Sequence, residues 1–199
     1  TDVDGAKAFD QWNPHLGANW RWSATPSTYA AWGRTMRYPN RDELLGFLGG
    51  ASPELRPERA TTWEAGVREE WGRTFTGTVS VFRTDVRDEI FFVPPPAGAF
   101  AFGTNQNVTR IRHQGVETGW RWAACDPVTL TGSYTFTRTT METGAFDRHQ
   151  LPLTPRNQGS LGLEADLGLG LLFTTRTRIV GPRYLLNDLD NTTRGLGAY

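Results

Sequence analysis

Three histidines, His15, His113 and His149, are the residues in this chain best suited to hold a metal ion or move a proton. A metal site needs several donors at a recognisable spacing, such as two histidines on one helix face or paired cysteines. These three are scattered over different segments, no Glu-x-x-His pattern occurs, and Cys125 is the lone cysteine. They read as surface or lumen histidines, and Cys125 reads as a turn residue. Asp85, Asp88 and Glu89 form a small acidic group, but the Gly-containing, ligand-rich loop of a calcium site is missing around them, so they read as a solvated strand end. The glycine-rich stretches read as turns, since none joins a strand to a helix as a phosphate loop does. The sequence therefore assigns no catalytic residue, no metal ligand and no cofactor. What remains is contact chemistry. Phe92, Phe100 and Phe102 crowd, with Phe91, around a stiff run at Pro94–Pro96, and Arg148 stands in another connecting segment. These side chains have two uses open to them: stacking on a flat ligand or pairing with an anionic one, and packing loop on loop.

The composition says what kind of element must position such residues. A chain of 199 residues has length for one sizeable domain. It holds 8 Trp, 11 Phe and 22 Gly against 2 Met, a balance that favours strands over helices. Basic and acidic residues number 21 each, so no net field points to nucleic acid. No run of about 18 apolar residues exists to form a membrane-spanning helix. The mean hydropathy of −0.48 does not argue against a membrane, because a barrel strand shows apolar side chains only at alternate positions.

That alternation is the dominant signal. Leu16, Ala18, Trp20 and Trp22 share one face against His15, Gly17, Asn19 and Arg21. Trp63, Ala65, Val67 and Trp71 oppose Thr62, Glu64, Arg68 and Glu70. Val128, Leu130, Tyr134 and Phe136 oppose a row of threonines, and Leu161, Leu163, Ala165 and Leu167 oppose Ser160, Gly162, Glu164 and Asp166. A helix would need spacings of three and four. Further strands are predicted near Thr28–Tyr38, where neither face is clearly apolar, and near Phe75–Ile90, Val108–Trp122 and Leu171–Tyr184. In Phe75–Ile90 the face of Phe75, Val79 and Val81 continues into Arg83 and Asp85, which requires either a bulge or an exit from the bilayer.

The links between these strands alternate. Short ones lie near Ser23–Ser27, Gly72–Thr74, Ala123–Pro127 and Gly168–Gly170; long ones run over Pro39–Ala60, Val93–Gln106, Thr140–Arg156 and Leu185–Gly195. Strict alternation is the habit of an up-and-down outer-membrane barrel, with tight periplasmic turns and longer outer loops. Trp20, Trp22, Trp71, Trp120 and Trp122 all fall beside short links, where an apolar ring bearing one N–H donor suits the membrane–water interface. These five form the expected aromatic girdle. Leu, Val, Phe and Trp then face lipid, while the threonine rows and charges such as Glu164, Asp166, Arg176 and Arg178 face a wet interior.

Seven segments in order resemble the C-terminal part of the barrel of TonB-dependent receptors. "TMRYPNRDELL" (35–45) resembles an Arg-x-Pro segment followed by Glu-Leu, and "SPELRPERATTWEAGVREEW" (52–71) resembles Leu-x-Pro-Glu leading into a strand with Glu-x-Gly. "VFRTDVRDEI" (81–90) is similar to a Phe-x-x-Asp strand, and "NVTRIRHQGVETGWRW" (107–122) to the strand carrying Gln-Gly-Val-Glu. "LTGSYTFTRT", "LPLTPRNQGSLGL" and "VGPRY" continue the order. The resemblance implies an all-β, antiparallel, up-and-down transmembrane barrel, of which residues 1–199 are a partial domain with about eight to nine strands of roughly 22. It implies a plug domain and final strands lying outside this segment. It further implies an integral protein of the Gram-negative outer membrane, whose partners are outer-membrane lipid, the TonB complex acting through the plug, and a scarce small-molecule ligand such as a ferric siderophore. Such a protein is a transporter, not an enzyme. Two rival expectations are a passive outer-membrane pore and a soluble β-sandwich module that binds carbohydrate.

Overall fold

The computed structural model describes residues 12–46, 52, 54–93, 95, 103–144, 146–186, 188–193 and 195–199. Eight strands follow in chain order: β1 (His15–Arg21), β2 (Ser27–Arg37), β3 (Glu58–Trp71), β4 (Phe75–Val93), β5 (Thr104–Cys125), β6 (Val128–Met141), β7 (Asn157–Asp166) and β8 (Leu172–Val180). A five-residue helix, α1 (Arg41–Leu45), lies between β2 and β3. Each strand pairs antiparallel with the next, giving one eight-stranded sheet in sequential order. After β8, Val180 and Tyr199 exchange both backbone hydrogen bonds (2.8 and 3.1 Å), and Arg183 and Leu196 do the same. The chain thus returns alongside β8 as a ninth strand would.

The register joins the alternating patterns into continuous rows. Ala18, Ala30, Ala65, Val81, Val116 and Phe136 stand opposite one another across six strands. One step towards the short links, Trp20, Thr28, Val67, Val79, Thr118 and Tyr134 form the next row, and Trp71, Phe75, Trp122, Leu130 and Leu163 lie near its lower edge. One step towards the long loops the row reads Leu16, Trp32, Trp63, Arg83, Gln114 and Arg138. Along β3 the apolar belt runs from Trp63 to Trp71, about 26 Å at roughly 3.3 Å per residue.

Burial is inverted relative to a water-soluble sheet. Val81 and Leu161 are 54% and 57% exposed on the apolar face, whereas Ser80 is 5% exposed on the polar one. Among the described residues no second layer covers the apolar face. The small buried core lies at the long-loop end instead, where Ile111, Met141 and Leu151 pack with Phe91, Phe146 and Leu189.

Several strand limits differ from the sequence prediction. β4 continues to Val93, and β5 begins at Thr104, four residues before Val108, so the β4–β5 hairpin is longer than expected. β5 also runs on to Cys125, which ends a strand after a register shift at Ala123/Cys125 rather than sitting in a turn. β8 stops at Val180, ahead of Tyr184. The polar continuation of β4 is an exit from the apolar belt and not a bulge: its pairing with β3 runs without a shift from Phe75 to Arg87.

Two glycines of the recognised motifs are required by close approach. The Tyr29 ring lies over Gly66, where an added Cβ would come within 2.6 Å of it, and the Tyr29 hydroxyl donates to Glu64 Oε1 at 2.6 Å. Glu-x-Gly is thus one half of a cross-strand aromatic contact. A Cβ on Gly115 would collide with the Phe136 carbonyl oxygen and crowd the Phe82 ring. Gly115→Ala is expected to destabilise the barrel by about 1–3 kcal/mol. The control Gly119→Ala, with nothing within 4 Å of the new methyl, should shift it by less than about 0.5 kcal/mol. Heating the full-length protein in detergent and following loss of its fast-migrating folded band would check both.

Candidate functional site at the long-loop end

Three of the recognised motifs converge on one ion-pair network. Arg37, of Arg-x-Pro, makes a two-pronged bond to Glu58, of Leu-x-Pro-Glu: Nε to Oε2 at 2.7 Å and Nη2 to Oε1 at 2.6 Å. Its Nη1 reaches both oxygens of Glu43, of Glu-Leu, at 2.9 and 3.0 Å. Glu43 also caps α1, accepting from the Asn40 N–H while Asn40 Oδ1 accepts from the Glu43 N–H, a reciprocal pair that fixes where the helix starts. The Ile90 N–H on β4 donates to Glu58 Oε1 at 2.8 Å. Partial burial works against the charge on Glu58, which lies beyond the apolar belt, but Arg37 and the Ile90 N–H outweigh it and hold the carboxyl below its ordinary value. Beside this network, Asn107 bonds the Arg56 backbone through both side-chain ends (2.8 and 2.9 Å) and the Asp88 carbonyl at 2.7 Å. The motifs therefore rivet β2, α1, β3, β4 and β5 together.

A cleft of about 580 Å³ opens between segments 150–157 and 182–197, lined by Arg156, Arg183, Tyr184 and Asn191 among others. Arg156 Nε donates to Gln150 Oε1 at 2.6 Å, and the Arg183 guanidinium lies 5.2 Å from the Tyr199 ring centre. Asn191 clamps the two loops: its Oδ1 accepts from the Gln150 N–H (2.6 Å) and its Nδ2 donates to the Gln150 carbonyl (2.9 Å). Asp188 in turn accepts from the N–H groups of Thr192 and Thr193. Guanidinium, phenol and amide groups around one opening suit an anionic, oxygen-rich solute better than a bare cation.

The predicted contact residues meet different fates. Phe91 packs into the buried cluster. Phe92 is 43% exposed, with its ring over Gly103 across the hairpin. Phe100 and Phe102 lie outside the described residues. The Arg148 side chain is 89% exposed and lies 3.7 Å from Asp147. Trp20, Trp22, Trp71 and Trp122 are exposed at the short-link end, and Trp120 covers Gly132 there. The histidines stay apart: His15 lies against Gly33 on β2, His113 is 3.6 Å from Glu89, and His149 meets the Phe146 ring. Among the described residues no group of three His, Cys, Asp or Glu is arranged to hold a metal ion. The sequence reading missed the cleft arginines, Arg156 and Arg183, because nothing in their local pattern shows that two loops far apart in sequence will meet. It also missed Trp32 and Trp63 as a second aromatic row, since they sit mid-pattern and not beside a link.

A single up-and-down antiparallel sheet, apolar and exposed on one face, polar on the other, defines the wall of a transmembrane β-barrel. A family model described as "TonB dependent receptor-like, beta-barrel" matches residues 1–199, and the chain belongs to that family. An iron-regulated outer membrane virulence protein of Vibrio cholerae is 25% identical over 115 residues, covering 53% of this chain and 18% of that protein. Among solved structures, a mutant of the ferric enterobactin receptor PfeA of Pseudomonas aeruginosa superposes with a TM-score of 0.72 at 16% identity, over 95% of this chain and 31% of that one. The ferric yersiniabactin uptake receptor FyuA of Yersinia pestis gives 0.68 at 18% identity, over 93% and 28%. The chain thus spans about a third or less of the proteins it matches.

Arg37→Ala leaves Glu43 and Glu58 without their shared cation. A cost of about 1–2 kcal/mol is expected, seen as earlier protease nicking within residues 38–57 of the folded receptor. Asn191→Ala should release the loop clamp and raise hydrogen exchange across residues 146–156, with the strands unchanged.

Proposed function

We propose that this chain forms part of an outer-membrane receptor that imports a ferric siderophore using energy transmitted by TonB. In this reading the apolar face meets lipid, the polar face lines the lumen, and the long loops with their cleft point out of the cell. Trp20, Trp22, Trp71, Trp120 and Trp122 form the periplasmic girdle, and Trp32 and Trp63 its outer counterpart, about 26 Å away along β3. The observation that carries the reading is the membrane-barrel wall with a cationic, aromatic cleft at its long-loop end, in a chain of this family. The related iron-regulated protein and the ferric-siderophore receptors of the same fold support iron as the cargo.

The mechanism follows from rigidity. The riveted strands hold the loops at fixed separation, so Arg156, Arg183 and Tyr184 meet an anionic ferric complex without first being ordered. Phe92, Phe100, Phe102 and Arg148 are further contacts in this proposal. Release inward requires TonB to act on a plug segment, which this reading places outside residues 1–199.

Deleting the gene should abolish growth under iron chelation on at least one ferric siderophore supplied as sole iron source, with growth restored by the full-length gene only in cells that have TonB. Unchanged growth on every ferric siderophore tested would refute siderophore import. Restoration without TonB would point to the passive pore.

A further inference from the structure

The outer face of the sheet carries an arrangement that ligand import does not use. Arg59, Arg87 and Arg110 stand directly opposite one another on β3, β4 and β5, in register Arg59↔Arg87 and Arg87↔Arg110. They belong to the face that bears Trp63, Val81 and Val116, just past the apolar belt on the long-loop side. Like charges directly opposed on neighbouring strands repel, so an anion seated across the row would relieve it. Among the described residues, Arg59 and Arg87 have no carboxylate within ion-pair distance. Arg110 comes no nearer than 4.0 Å to Asp85, and its Nε is buried without a hydrogen-bond partner. Asp85 is already held by Arg83 at 3.0 Å and Arg112 at 2.9 Å.

The three guanidiniums, joined by Arg34 and by the ion-paired Asp85, line a cleft of about 570 Å³ bordered by Trp32 and Trp63. Arg34 lies over the Trp32 ring at 5.6 Å. The same two tryptophans form the upper wall of a second, apolar groove of about 580 Å³, floored by Ala18, Ala30 and Ala65. Those alanines are directly paired neighbours, so three small side chains in a row leave a trough between bulkier rows. From Ala65 to Arg59 is about 20 Å along β3. Cationic cleft, aromatic pair and apolar trough are therefore continuous and come in the order headgroup, interface, hydrocarbon.

We infer that this face binds one phosphorylated lipid of the outer leaflet, its phosphate over Arg59, Arg87 and Arg110 and an acyl chain in the alanine trough. Charge complementarity selects the headgroup: a cluster rich in guanidinium takes phosphate by paired N–H donors. The adjoining trough selects a lipid over a soluble anion. This inference rests on the reading above that the apolar face meets lipid and the long loops point out of the cell, and not on which ligand is imported.

The test uses full-length receptor in detergent, stripped of lipid and titrated with diphosphoryl lipid A in native mass spectrometry. Phosphatidylcholine provides a zwitterionic comparison, and inorganic phosphate a soluble anion. Lipid A should bind at least about tenfold more tightly than phosphatidylcholine. The Arg59→Gln, Arg87→Gln, Arg110→Gln triple variant should lose that preference while keeping its folded electrophoretic band. Ala65→Trp, at an exposed position that leaves every charge in place, should weaken binding of both lipids. Equal lipid A binding by wild type and the triple variant, displacement of lipid A by inorganic phosphate at similar concentration, or unaltered binding in Ala65→Trp would each overturn the inference.

Discussion

Hydrocarbon offers a peptide group nothing to bond with, and the rest of this structure answers that constraint. Every strand must satisfy its N–H and C=O groups on its neighbours, so the sheet has to be continuous and sequential. Side chains then divide by environment instead of by depth. The face that a soluble sheet would hide is here the open one, and the serine, threonine and charged face is the more enclosed. Burial by protein atoms is consequently scarce among the described residues, and the apolar cluster is a few of them, such as Ile111 and Met141, where loops close over one end. Stability at that end comes from polar fastenings.

Those fastenings explain the recognised motifs. Arg-x-Pro, Glu-Leu and Leu-x-Pro-Glu lie on β2, α1 and β3, and their charged members form one cluster around Arg37. Glu-x-Gly and Gln-Gly-Val-Glu supply glycines where a ring or a carbonyl approaches too closely for any side chain. The motif residues thus build the frame, and Arg156, Arg183 and Tyr184 of the last two motifs also line the cleft. The two arginine populations follow the same division: Arg37 is consumed by carboxylates, whereas Arg59, Arg87 and Arg110 are left facing outward.

How legible this was in the sequence depended on contrast. β3, β6 and β7 could be read because Leu, Val or Trp alternates with Thr or a charge. β2 could not be oriented, because its apolar side is Thr28, Ala30 and Trp32, whose hydropathy barely differs from that of Tyr29 and Ala31; only pairing with β1 and β3 decides it. The periodic signal ends where the hydrocarbon ends, so Thr104–Asn107 and Phe91–Val93 looked like loop although they continue a paired ladder. The cleft was illegible for a different reason. Its walls come from segments brought together by Asn191 and Gln150, and no local spacing encodes that meeting.

The overlong β4–β5 hairpin has a consequence of its own. From Arg83, at the edge of the belt, β4 runs on to Val93, roughly 33 Å farther along the strand. Whatever joins Val93 to Thr104 is therefore carried on a stalk whose pairing was settled lower down. Changes in that connection do not reach the strand register near the bilayer, so its sequence can vary while the wall beneath it stays the same.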